Sequence, residues 1–165
     1  MGKNKNIVPV LVKSSEEIRA IAKAFYQSSK ILGTVGGEFW DIENMNQDEM
    51  DKNINIKCAL PKIVLRALSA EIALKAYTFQ DGFVCEGHNL YEIFVNVEEE
   101  KRNEIKIQTM LNIQKMYPNR RYNEKEFEID LLSISKVFVD WRYIYEKDEY
   151  ELDYEFLDAF TNSLF

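Results

Sequence analysis

Two stretches of this chain repeat apolar residues at helical spacing, and each places charged side chains within the face that should be apolar. From Pro61 to Gln80, at roughly 100° per residue, Lys62, Arg66, Ser69, Ala73, Ala76 and Gln80 fall on one side, read as the solvent face. Opposite run Val64, Leu68, Glu71, Lys75 and Thr78, so Glu71 and Lys75 are expected to point inward. The same projection of a single helix from Glu126 to Glu146 turns Ile129, Ser133, Lys136 and Asp140 outward. It sends Phe127, Leu131, Ile134, Phe138, Trp141 and Tyr145 inward, with Arg142 among them.

A charge on a core face must be paired and hydrogen-bonded, because an isolated buried ion costs several kcal/mol even after relaxation. Glu71, Lys75 and Arg142, with Glu146, are therefore expected to meet in one interior network. Such a network reads either as a polar ligand site between two helices or as an ion-pair set that only fixes helix register. Glu71 and Lys75 form an i,i+4 pair of favourable polarity in either case.

The rest of the chain points to one all-α domain spanning residues 1–165. With 165 residues and 46% hydrophobic content it can bury one core, and no segment shows strand alternation. A capping box, Ser14-x-x-Glu17, opens a first helix whose apolar stripe is Ile18, Ile21, Ala22, Phe25 and Leu32. Gly33, Gly36 and Gly37 are expected to end it. Asp41 to Lys57 reads as a polar connection, and Pro61 as the first residue of the next helix. Gly87-His88-Asn89-Leu90 leads into a helix with Leu90, Ile93, Phe94 and Val97 inside, which the charged run Glu98 to Arg102 breaks. A helix through Ile105, Ile107, Met110, Leu111 and Ile113 follows, and Pro118-Asn119 stops it. Asn123-x-x-Glu126 caps the long helix, and Asp153 to Leu164 forms a last short one around Phe156, Leu157 and Phe160.

Charge and motifs narrow the function classes. The formal charge of -7 argues against a general nucleic-acid binder. Much of it, however, lies between Glu146 and Asp158, where seven carboxylates face Lys147 alone, and the rest of the chain is close to neutral. Ile7 to Val12 is too short for a signal h-region or a membrane span, so a cytoplasmic location without membrane insertion is expected. Cys58 and Cys85 form no paired motif and His88 is the sole histidine, so neither a metal site nor a cofactor is expected. Phosphate loops, nucleophile elbows and metalloprotease motifs are absent from the sequence.

Three segments in order, Ala67-Leu68-Ser69-Ala70-Glu71-Ile72-Ala73-Leu74-Lys75-Ala76, Gly87-His88-Asn89-Leu90-Tyr91-Glu92-Ile93-Phe94 and Phe138-Val139-Asp140-Trp141-Arg142-Tyr143-Ile144-Tyr145-Glu146, resemble HEPN domains (higher eukaryotes and prokaryotes nucleotide-binding). The resemblance covers roughly residues 60–165, leaving residues 1–59 as an N-terminal extension with one helix and a polar connection. It implies an up-and-down helical bundle, homodimerisation, and a toxin–antitoxin or phage-defence setting. Nuclease members of the family carry an Arg followed four to six residues later by His, and this chain has no such pair.

The expectation is therefore a recognition or regulatory module that does not cleave RNA. Its binding residues are Glu71, Lys75, His88, Arg142 and Glu146, and its ligand is a nucleotide, RNA or a partner protein. Two rivals stay open. One is a metal-independent endoribonuclease using His88, Arg142 and Lys75; the other is a purely structural dimerisation subunit.

Overall fold

The computed structural model describes residues 14–36, 48, 52–79, 85–143 and 151–165. It is helical, with α1 Ser15–Gly36, α2 Ile54–Tyr77, α3 Leu90–Val95, α4 Glu99–Met116, α5 Glu124–Ser133, α6 Val137–Arg142 and α7 Tyr154–Asn162. Among the described residues there is no strand, and no helix is long and apolar enough to cross a membrane.

The cap signals in the sequence act where they stand. Ser14 Oγ accepts from the Glu17 N–H at 3.2 Å. The Asn123/Glu126 capping box closes in both directions at the start of α5, and Asp153 Oδ1 accepts from the Phe156 N–H at 2.8 Å at the start of α7. Each satisfies backbone donors that a helix start leaves without partners.

α1 and α2 form an antiparallel hairpin. Arg19 reaches the Tyr77 ring near one end, Ser69 Oγ donates to the Ala22 carbonyl at 2.8 Å in the middle, and Lys62 crosses Gly33 at the other. Ala67, Ala70, Ala73 and Ala76 are all buried, and their small side chains let neighbouring backbones come close. α2 also touches α3, α6 and α7 and is the central helix of the fold. The core beside it is aromatic. Phe94, Phe127, Phe156 and Phe160, from α3, α5 and α7, interlock with ring centroids 5.8–6.3 Å apart.

Several expectations need correction. The supposed solvent face of α2 is interior: Arg66, Ser69, Ala73 and Ala76 are buried, because α1 lies along it. A helix apolar nearly all round belongs in a core, and a two-sided projection misassigns one flank. Pro61 lies inside α2, which begins at Ile54, so the polar connection ends sooner than expected. α1 runs through Gly33 to Gly36. The charged run near Glu98 opens α4, and Arg102 turns back to donate to the Val95 carbonyl at the end of α3.

The single helix from Glu126 to Glu146 is two helices. A turn at 134–136 separates α5 from α6 and frees the Ser135 carbonyl, which takes the Leu90 N–H at 2.7 Å and anchors α3. This break shifts the phase of every residue after it. Phe138 stays buried, but Arg142 is exposed rather than interior.

Candidate functional site

Glu71 sits on α2 at 3% exposure, and its neighbours compensate its charge from two directions. One helical turn on, Lys75 Nζ donates to Oε1 at 2.8 Å. From the loop before α3, His88 Nδ1 lies 2.9 Å from Oε1 and 3.0 Å from Oε2. An ionised carboxylate only accepts, so Nδ1 carries a proton and donates, and Nε2 is the ring's remaining polar edge.

Local structure explains how His88 reaches the site. Gly87, with φ of +87°, supplies a left-handed turn that a side chain would strain. Asn89 then caps α3, its Oδ1 accepting the Glu92 N–H at 3.2 Å. Between these two fixed points the imidazole leans on the Phe138 ring, centroids 5.6 Å apart, with about half of the side chain, 49%, open to solvent.

Arg142 does not join the Glu71 network. Its guanidinium lies 5.2 Å from the Phe138 centroid and 4.6 Å from that of Tyr143, and Nη2 donates to the Tyr143 hydroxyl at 3.0 Å. Phe138 is thus the shared wall between His88 and Arg142. His88, Arg142 and Tyr143, with the buried Phe138 ring behind them, make a partly exposed ledge of rings and one cation beside a buried carboxylate. Of the expected binding residues, Glu71, Lys75 and His88 come together, Arg142 stands beside them on the surface, and Glu146 lies outside the described residues.

A second buried charge escaped the sequence reading. Arg66, projected outward, is 4% exposed; its Nη2 pairs with Asp158 of α7 at 2.8 Å, and its plane lies over the Tyr26 ring of α1 at 4.6 Å. The Asp158 carboxylate also accepts from Asn162 Nδ2 at 2.9 Å, and Asn162 Oδ1 accepts from the Tyr26 hydroxyl, so α1, α2 and α7 are tied together around the guanidinium. The available signal was the series Ala67, Ala70, Ala73 and Ala76 that follows Arg66, which falls on both the inner and the supposed outer face and marks a helix packed on more than one flank.

No family model matches the chain, and no curated protein or solved structure matches it either.

Proposed function

We propose that this chain is a HEPN-like, up-and-down helical-bundle module of the cytoplasm that recognises a nucleotide or a single-stranded RNA segment and does not cleave it. The observation that carries the reading is the grip of the buried Glu71 carboxylate on His88 Nδ1, which holds the imidazole with its other edge free beside Phe138 and Arg142. Bases stack on aromatic and guanidinium planes, and their edges hydrogen-bond to fixed donors and acceptors. The ledge offers both kinds of contact. Metal-free cleavage would ask more of it: a base for the 2′-hydroxyl, a second group to protonate the leaving oxygen, and a cation on the phosphorane. Lys75 is committed to Glu71, and the Arg142 guanidinium already lies against Phe138 and Tyr143. Homodimerisation through a helical face belongs to the same proposal.

One observation favours a second reading. A carboxylate behind an imidazole fixes its tautomer and supports an imidazolium, as in acid–base dyads, and this suits an endoribonuclease centred on His88 with Arg142 as the cation. Fluorescence anisotropy with labelled single-stranded RNA and with a labelled nucleotide separates the readings. Binding is expected, weakened at least about threefold in His88→Ala and in Arg142→Ala, with the RNA recovered intact. Cleavage that disappears in both variants would replace the proposal with the nuclease, and an absence of binding to either probe would end it.

A further inference from the structure

We infer that the cleft lined by Lys30, Gly33, Thr34, Lys62, Arg66, Tyr154 and Asp158 is a binding site for a small phosphomonoester. None of these residues belongs to the His88 cluster, so the inference stands apart from the recognition reading above. The cleft holds about 330 Å³ between α1, α2 and α7, room for a phosphate group with a small organic body attached.

Charge is the first argument. Three cations, Lys30, Lys62 and Arg66, line the cleft, and among the described lining residues Asp158 is the one carboxylate. A dianionic phosphate matches the surplus, since a phosphomonoester carries close to two negative charges at neutral pH.

The state of Arg66 is the second. An arginine cannot shed its proton, and here two of its donors, Nε and Nη1, are buried with no hydrogen-bond partner. Its ion-pair partner among the described residues, Asp158, is about a third exposed at 32%. Asp158, the Tyr26 ring and the Tyr154 side chain face this buried cation, and the positive field left beneath the cleft is one that an anion in the cleft would neutralise.

The third argument is the mounting of the lysines. A Cβ on Gly33 would approach Lys62 Cε to 3.3 Å, so the absent side chain gives Lys62 its path across α1 to lie over the Tyr154 ring at 4.5 Å. Lys30 lies over the Tyr26 ring at 5.1 Å. Aromatic faces therefore hold both ammonium groups along the cleft. Burial raises the Tyr154 phenol above its ordinary range, so its hydroxyl stays protonated beside them.

Thermal melts of the whole chain test the site, with inorganic phosphate compared against potassium chloride of equal ionic strength. At a concentration about ten times its Kd, phosphate is expected to raise Tm by about 3 °C or more. Lys30→Gln and Lys62→Gln remove charges outside the buried core, so both should stay folded, melt within about 4 °C of the parent without ligand, and bind phosphate about tenfold more weakly. A parallel titration with a nucleoside 5′-monophosphate identifies the bearer. A larger rise than with inorganic phosphate that persists in His88→Ala and shrinks in Lys62→Gln assigns a nucleotide to this cleft, and an equal rise assigns the phosphate group alone. No rise beyond chloride, or an equal rise in both variants, would overturn the inference.

Discussion

Glu71 and Arg66 lie on the same helix, both all but removed from solvent, and they are satisfied in opposite ways. Glu71 has both carboxylate oxygens engaged, by Lys75 and by His88, and the donors that reach it are themselves partly hydrated. Among the described residues Arg66 has one ion-pair partner, an aromatic face, and two donors without acceptors. A carboxylate is compact and two neighbours complete its shell. A guanidinium presents five N–H groups in a fixed fork and is much harder to complete in a core. The fully satisfied charge can serve as a rigid support for His88, whereas the incompletely satisfied one projects its field toward a cleft.

The largest effect should come from Asp158→Ala. Removing the more exposed partner strands a buried guanidinium and frees Asn162, and a loss of about 3–5 kcal/mol is expected in urea melts. A loss below about 1 kcal/mol would show that water reaches Arg66 and would erase the contrast with Glu71.

Lys75→Met should cost less, about 1–2 kcal/mol, because His88 still donates to both Glu71 oxygens. Adding His88→Ala to that variant should cost more than the two single losses together, since only then is the carboxylate left bare. Simple additivity would mean that the two donors do not back each other up.

The smallest effect extends the comparison to a carboxylate held by a neutral donor. The Tyr122 hydroxyl donates to Asp130 Oδ2 at 2.7 Å, and burial together with that carboxylate pushes the phenol well above its ordinary value. A raised folded-state value means that the unfolded chain loses this proton first. The contribution is complete below about pH 10 and fades as the pH rises beyond it. Tyr122→Phe should cost about 1 kcal/mol at pH near 8 and lose less stability than the parent on going to about pH 11. Parallel alkaline curves for the two proteins would remove Tyr122 as the titrating group.

Local signals in the chain were legible residue by residue. The caps at Ser14 and Asn123 and the inward set Leu90, Ile93, Phe94 and Val97 depend on neighbours within a turn or two, and they stand in the structure as read. The inward Glu71 and its pairing with Lys75 were legible for the same reason, being an i,i+4 relation on one helix. Arg142 was misread because a short turn at 134–136 resets the helical phase, and what favours that turn is the distant Leu90 N–H that takes the Ser135 carbonyl.

The sequence by itself determined an all-α fold, the caps at Ser14 and Asn123, and one charge that had to be buried and paired. Only the tertiary structure decided which flank of α2 faces α1, that Arg66 and not Arg142 is the interior cation, and that His88 is the partner Glu71 takes from outside its own helix. Helix periodicity reports how many sides of a helix are apolar. Which neighbour covers each side, and which distant side chain completes a buried ion, depends on the packing of elements far apart in the chain.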